Sequence, residues 1–359
     1  MMTAELIDAT AYRARPGGPM TFRRFLEAAC RVAEDALRFT NLNNIAPDDI
    51  ESLEADLHGI ETGGFSDEKV GGQYGREQMD PRRVMSREIG YRGLAALLQR
   101  DRAWTSRDIL LDGLAGNGTF DRVMARICDG RPRYVGNDVS LRMASGGLQE
   151  GKLILWSDLR TPLVRDQIAD YAVAAYGTHH VPPPERVRYA AALARRLRDG
   201  GTLVLQDFVQ GTPSARWYSE FIHDHRSGGH PYQHFTETEL RALFRQAGLR
   251  DAAVHTVFDP FVIPALPDQS DDALRQDFAR YMRTLYALDR LDCDAPGAGA
   301  YAMVEPYFRV PGLDRLADGI LAVQPFARDY LCEDISIRTV AGRRVLIAPR
   351  VAIAAAGTR

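Results

Sequence analysis

Cysteine is scarce in this 359-residue chain, and its four copies, Cys30, Cys128, Cys293 and Cys332, are scattered without a CxxC pair. That spacing argues against a disulfide framework or a zinc knuckle and suits a reducing cytosol. An excess of charge of one sign is missing too. Lys and Arg number 45 against 48 Asp and Glu, a formal net charge of −3, so nothing draws the whole chain toward nucleic acid or an anionic membrane. The arginines are interspersed with acids in the manner of solvated helix faces. No apolar run approaches the ~18 residues that a transmembrane helix needs. The opening MMTAELIDATAYRARPGG lacks a continuous hydrophobic segment of the signal-peptide kind. No internal repeat is visible. These absences leave a globular, cytoplasmic protein as the expectation, with neither nucleic acid nor membrane as partner.

What is present is 45% hydrophobic residues, enough for one large core with additions or for two domains. The first ~105 residues show helical periodicity. TFRRFLEAACRVAEDALRF sets Phe22, Phe25, Leu26, Ala29, Val32, Ala33 and Leu37 near one face, and APDDIESLEADLHGI opens with an acidic turn that suits the helix dipole. The polar, glycine-rich ETGGFSDEKVGGQYGREQMDPRR that follows reads either as a plain linker or as a mobile lid. Its Tyr74, with Arg76 and Arg83, could close over an anionic substrate. VMSREIGYRGLAALLQR reads as a helix leading into the first strand.

From residue 108 short apolar runs alternate with helices. DILLD, RYVGND, KLILWSD, DYAVAAY, TLVLQDF and AAVHTVFDPFVI are the strands, hydrophobic enough to be buried on both sheet faces. Between them, TPLVRDQIA reads as a helix capped by Thr161. TETELRALFRQAGL carries a capping box from Thr236 to Glu239. The alternation predicts a doubly wound α/β domain. The last strand, RRVLIAPRVAIAA, is delayed by a long stretch whose DALRQDFARYMRTLYALDRL and GLDRLADGILAVQPFARDYL read as helices, so a helical cap is inserted before it. The predicted organisation is an N-terminal helical lid and substrate region at 1–105, a core at 106–263, the cap at 264–342, and the last core strand with its tail at 343–359.

In an open α/β sheet the ligand sits at the carboxyl ends of the strands. Here the first such turn is LDGLAGNGTF, where Gly116 and Gly118 let the backbone pass close to a ligand. Asp112 ends the first strand. Asp138 ends the second, where its carboxylate can receive a ribose hydroxyl pair, and Asp158 ends the third, placed to accept from an exocyclic amine. A nicotinamide dinucleotide site would want a third glycine, but Thr119, Phe120 and Asp121 follow Gly118.

Residues 108–210 resemble a class I S-adenosylmethionine-dependent methyltransferase, whose first motif runs D-x-G-x-G-x-G. The chain matches it at Asp112, Gly116 and Gly118 but carries Leu114 where the first glycine stands. GTHHVPPPERVRYAAALARRLRDGGTLVLQDF is similar to the family's fourth-strand motif, helix and fifth strand. The resemblance implies a Rossmann-like, seven-stranded sheet and S-adenosylmethionine as cofactor, held by Asp112, Gly113, Gly116, Gly118, Asn137, Asp138, Asp158, Leu159 and Tyr176. It also sets Tyr176 beside the sulfonium, where an aromatic face favours the cation.

His179 and His180 offer a general base, with a structural role for at least one of them under the fifth-strand loop. In FIHDHRSGGHPYQHF, four further imidazoles lie close together, but no carboxylate follows at ligand spacing and Pro231 interrupts them. They read as a loop at the substrate entrance, with Tyr74, His223, His230 and His234 as substrate residues and no metal expected. The expected activity is methyl transfer to a small-molecule acceptor in secondary metabolism, with a homodimer possible through the N-terminal helices. Two alternatives stand beside it. One is a methyltransferase-fold cyclase that closes the methionine part of S-adenosylmethionine into azetidine-2-carboxylate, releasing methylthioadenosine. The other is a non-catalytic binding scaffold.

Overall fold

A computed structural model describes residues 21–41, 47–161, 163–293 and 299–359, apart from residues 61–63. Its centre is one sheet of seven strands in the order β3-β2-β1-β4-β5-β10-β6. These are β1 (Ile109–Asp112), β2 (Arg133–Asp138), β3 (Ile154–Trp156), β4 (Ala169–Ala174), β5 (Leu197–Asp207), β6 (Arg250–Phe258) and β10 (Val351–Thr358). The first five pair in parallel, and β10 runs antiparallel between β5 and β6. The order reverses at β1, so the ends of β1 and β4 open a crevice where a ligand can sit. β1 is buried along its whole length, as its unbroken Ile-Leu-Leu run requires.

The N-terminal helices close one edge of this sheet. In α1 (Phe22–Val32) the Thr21 hydroxyl caps the Arg24 N–H, and Phe22, Phe25 and Ala29 are buried. Phe22 and Phe25 meet the Trp156 ring at 5.9 and 6.0 Å. The helix ends at Val32, earlier than the periodicity suggests, and a 3-10 turn at Ala36–Phe39 carries the chain on. After α2 (Pro47–Gly59), the glycine-rich segment is folded down over the strand ends. A wide turn at Glu68–Gly72 runs into α3 (Gln73–Met79). Ser140 Oγ donates to the Phe65 carbonyl (2.9 Å) and Asn117 Nδ2 to the Gly75 carbonyl (3.3 Å). It is a folded cover, not a plain linker.

α4 (Glu88–Leu98), α5 (Thr119–Ile127), α6 (Leu141–Gln149), α7 (Arg186–Arg196) and α8 (Glu237–Gln246) flank the sheet, the last with both halves of the expected capping box in place. TPLVRDQIA forms no helix among its described residues; Thr161 Oγ1 donates to the Asp158 carbonyl (2.7 Å) rather than capping one, and Pro162 lies outside them.

The segment between β6 and β10 differs from its sequence reading in one respect. Beside its helices, α9 (Asp271–Leu285), α10 (Gly299–Val304) and α11 (Leu313–Val323), it contains a three-stranded antiparallel sheet, β7-β9-β8, of Phe261–Pro264, Arg343–Ala348 and Ser336–Val340. Two apparent strands are each broken in the middle. Asp259-Pro260 divides β6 from β7, and Pro349-Arg350 divides β9 from β10, because proline cannot donate to a ladder. Asp259 and Arg350 meet at these breaks as an ion pair of 2.6 Å with neither side chain exposed. Within the insertion Phe261, Phe278 and Phe308 pack together, in an apolar cluster shared with Phe208, Trp217 and Phe221 from the segment after β5. No helix among the described residues is long and apolar enough to cross a membrane.

Candidate functional site

A cavity of about 400 Å³ lies at the ends of β1, β2 and β4, walled by the glycine turn on one side and covered by Phe65 and Tyr74 on the other. Of the residues singled out in the sequence, Asp112, Gly113, Gly116, Asn137, Asp138, Asp158, Leu159, Tyr176, His180 and Tyr74 all line it. Gly118 does not. It shapes the turn instead: Gly116 and Gly118 have φ of +55° and +81°, and Gly118 is the left-handed residue that starts α5. The backbone N–H groups of this turn and of the first turn of α5 stand where an anionic group is favoured. Leu114, at the departure from the family motif, also faces the cavity and comes within 3.6 Å of where a Cβ on Gly177 would be.

The acids differ in how free they are. Asp138 Oδ2 accepts from Gly116 N and Oδ1 from Ser140 N, both at 2.8 Å, which leaves each oxygen of this cavity-lining carboxylate able to accept once more. Enclosure raises its carboxyl to about 6. Asp112 accepts from Tyr134 Oη (2.9 Å) and Leu114 N (3.2 Å), and burial raises it to about 7. Asp158 is engaged by Arg160, whose Nε lies 3.0 and 2.9 Å from its two oxygens. An exocyclic amine arriving there would share that carboxylate with a guanidinium.

Tyr176 stands at the centre of a set of side chains that the sequence did not single out. It follows β4 with φ of +63°, a conformation rare for a tyrosine. Its N–H donates to Gln206 Oε1 (3.0 Å) and its hydroxyl to Asp259 Oδ1 (3.0 Å). The buried Arg350 grips the other oxygen of Asp259. Arg87 lies 4.5 Å from the Tyr176 ring centroid and donates to Tyr74 Oη (3.0 Å), while Tyr91 meets Tyr176 edge-on at 5.0 Å. Gly90 makes room for this: a Cβ there would fall 1.9 Å from Asp259 Oδ1 and 2.7 Å from Tyr176 Oη. Asp259 and Arg350 come from strand ends about ninety residues apart, on the order of a separation that no local spacing rule can bridge. The cue in hindsight is one charge beside each strand-breaking proline, Asp259-Pro260 and Pro349-Arg350.

The histidines are regrouped. His179 Nδ1 lies 3.1 Å from Asp207 at the end of β5, and His234 Nδ1 also lies 3.1 Å from it. His230 joins them, its ring 5.1 Å from both His179 and His180. Burial, with the neighbouring imidazoles, pushes His180, His230 and His234 down, so they are neutral at ordinary pH. Of the group, His180 faces the cavity, with the Tyr232 ring tilted against it at 4.0 Å. His230 and His234 are buried behind that wall, not at an entrance. His223 is an exposed residue whose Nδ1 accepts from His230 N (3.0 Å) and which does not line the cavity. The arginines of the glycine-rich segment are committed as well, Arg76 to Glu68, and Arg82 and Arg83 to Asp277 of the insertion (3.1 and 2.7 Å).

Residues 86–254 match the family described as a methyltransferase domain. Together with the strand order, this gives residues 86–254 a methyltransferase domain of the class I, Rossmann-like kind. No curated protein matches the chain. Among solved structures it is similar to phosphoethanolamine N-methyltransferase 2 of Haemonchus contortus, at 15% identity over 80% of this chain and TM-score 0.45. The chain spans 57% of the length of that enzyme. It is also similar to the [4+2]-cyclase SpnF, at 17% identity over 74% of this chain and 81% of the other, TM-score 0.38. A third is the 1,6-didemethyltoxoflavin-N1-methyltransferase of Burkholderia thailandensis, at 20% identity, 54% of this chain, 84% of the other, and TM-score 0.37.

Proposed function

We propose that the cavity binds S-adenosylmethionine and that the enzyme transfers its methyl group to a small-molecule acceptor, with secondary metabolism as the setting. The observation that carries this reading is Asp138, a carboxylate at the β2 end that lines the cavity with acceptor capacity left on each oxygen, beside a turn with two left-handed glycines. The ribose hydroxyls would lie on Asp138, and the amino-acid tail against the turn at Gly113–Gly116. The sulfonium would then lie near Tyr176, whose hydroxyl is tied to Asp259 so that its ring is held in place. A sulfonium activates the carbons attached to it, so the protein's part is mainly to align a nucleophile and exclude water. Phe65 and Tyr74 cover the cavity and supply that exclusion. His180, neutral and on the wall, is available to receive a proton from the acceptor.

A second reading has an observation of its own. Leu114 puts a side chain into the cavity where the family has glycine. At the methionine end, that bulk would favour a folded tail over an extended one. The α-amine could then attack its own γ-carbon: a C–N bond forms, the C–S bond breaks with its electrons going to sulfur, and the amine gives up a proton. Incubating the protein with S-adenosylmethionine alone separates the two. Methylthioadenosine with a cyclic amino acid, seen by mass spectrometry without an acceptor, establishes the cyclase. S-adenosylhomocysteine that appears only when an acceptor is added establishes the methyltransferase. If calorimetry detects no binding of either nucleoside, both readings fail.

A further inference from the structure

Within the imidazole cluster at the cavity wall, neither reaction uses His179, His230 or His234, and His180, the proposed proton acceptor, gives up that part when its lone pair binds a metal. We propose that His179, His180 and His230 form a site for a divalent transition-metal ion of the zinc class, with Asp207 as the carboxylate that orients His179. One nitrogen from each of these three histidines lies within 4.8 Å of the other two. A tetrahedral zinc with bonds of ~2.0–2.1 Å brings its nitrogen ligands to about 3.4 Å from one another. Small rotations of the rings therefore close the triangle.

Asp207 sets the protonation pattern that such a site needs. It is fully buried and accepts backbone N–H bonds from His179 and Phe208, both 2.7 Å, and the Thr178 hydroxyl. A carboxylate held by that many donors acts as an acceptor, so His179 and His234 each turn an Nδ1–H toward it. A neutral imidazole that donates from Nδ1 presents a bare lone pair at Nε2. His179 Nε2 and His234 Nε2 are buried and have no hydrogen-bond partner, and neither does His230 Nδ1. Three orphaned imidazole nitrogens in one place call for an explanation, since buried polar atoms are nearly always satisfied. A cation resolves the two that belong to the triangle, on His179 and His230. Carboxylate to imidazole to metal is the usual outer arrangement for a ligating histidine.

His180 belongs both to this triangle and to the cavity wall. Three protein nitrogens with a fourth position left open is the pattern of a reactive, not a purely structural, zinc. The ion would stand beside the cavity, able to bind an oxygen or nitrogen of the second molecule held there. The site does not depend on which nucleoside chemistry the cavity performs.

The test uses the full chain without a histidine tag, stripped with chelator and reloaded with Zn²⁺ or Co²⁺. One equivalent per chain by elemental analysis is expected, with a Co²⁺ absorption spectrum typical of four-coordinate nitrogen ligation. His230→Ala and His180→Ala should each weaken Zn²⁺ binding at least tenfold, and Asp207→Asn about 10- to 100-fold. His58→Ala, a surface imidazole, should change nothing. Because His179 and Asp207 are buried, circular dichroism accompanies each variant, and the wild-type stoichiometry decides if a variant does not fold. Less than a tenth of an equivalent on the wild-type chain at micromolar Zn²⁺ overturns the proposal. So does stoichiometric binding that survives both His230→Ala and His180→Ala in folded protein.

Discussion

Replacing Asp138 by alanine is the most direct perturbation of the proposed nucleoside site. In the native chain its two oxygens already hold Gly116 N and Ser140 N at 2.8 Å each, and the carboxylate lines the cavity with one further lone pair per oxygen. Alanine therefore removes the receptor of the ribose hydroxyls and also frees two backbone N–H groups that shape the turn. Loss of a pair of charge-assisted hydrogen bonds costs ~1–3 kcal/mol of binding free energy, or about 5- to 150-fold in Kd. S-adenosylhomocysteine is the ligand to use in calorimetry, because it cannot react. The pH dependence adds a second readout. Enclosure raises Asp138 to about 6, and only its ionised form accepts from both hydroxyls. Wild-type affinity should therefore fall as the pH drops through 6, toward tenfold per unit. Between about pH 5 and 7 the ligand's own amine and carboxyl keep their charges. Asp112, raised to about 7, is present in both proteins, so it is the gap between wild type and variant that isolates Asp138, and that gap should narrow from pH 7 to 5. A Kd within twofold of wild type at pH 7, in a variant with an unchanged melting curve, would refute the placement of the ribose.

The remaining predictions concern Tyr176 and its supports. Tyr176→Leu should weaken S-adenosylmethionine by ~0.5–2 kcal/mol, the range of a cation held against an aromatic face, while leaving uncharged-sulfur S-adenosylhomocysteine nearly unaffected. Equal losses for the two ligands would remove the sulfonium from that ring. Gly90→Ala drives a methyl group into Asp259 Oδ1, 1.9 Å from the ideal Cβ. It should destabilise the fold by ~1–3 kcal/mol through overpacking, and by ~3–5 kcal/mol if the Asp259–Arg350 pair separates. Urea unfolding that leaves the midpoint unmoved would contradict the close approach of α4 to Tyr176.

Much of the site was legible because its residues sit at positions the backbone dictates. A parallel strand buried on both faces must end in a turn, and polar residues at those ends face the crevice, so Asp112, Asp138 and Asp158 could be placed from local pattern alone. The two left-handed glycines were legible for the same reason. The histidines were not. FIHDHRSGGHPYQHF groups them by neighbourhood in the chain, yet the fold leaves His223 on the surface and turns His230 and His234 inward to His179 and Asp207. A loop has no fixed period, so spacing along it does not say which side chains converge. Arg87, Tyr91, Asp259 and Arg350 escaped notice because each is an ordinary member of its own segment.

From its residues alone this chain had to build a parallel sheet with a ligand-facing edge. Runs of Ile, Leu, Val and Ala at β1, β4 and β5 can be satisfied only with helices on both faces, and the turn after β1 needs glycines at left-handed φ. Whether the glycine-rich segment would be linker or lid was left to tertiary contacts, in which Ser140 and Asn117 anchor it at Phe65 and Gly75 so that Phe65 and Tyr74 line the cavity. The same contacts decided that two proline-broken strands would bring Asp259 and Arg350 together beneath Tyr176. Local pattern sets secondary structure because the backbone's periodicity is short-range. The meeting of distant charges is settled only when burial makes each one's alternative, an unpaired ion out of water, too costly to persist.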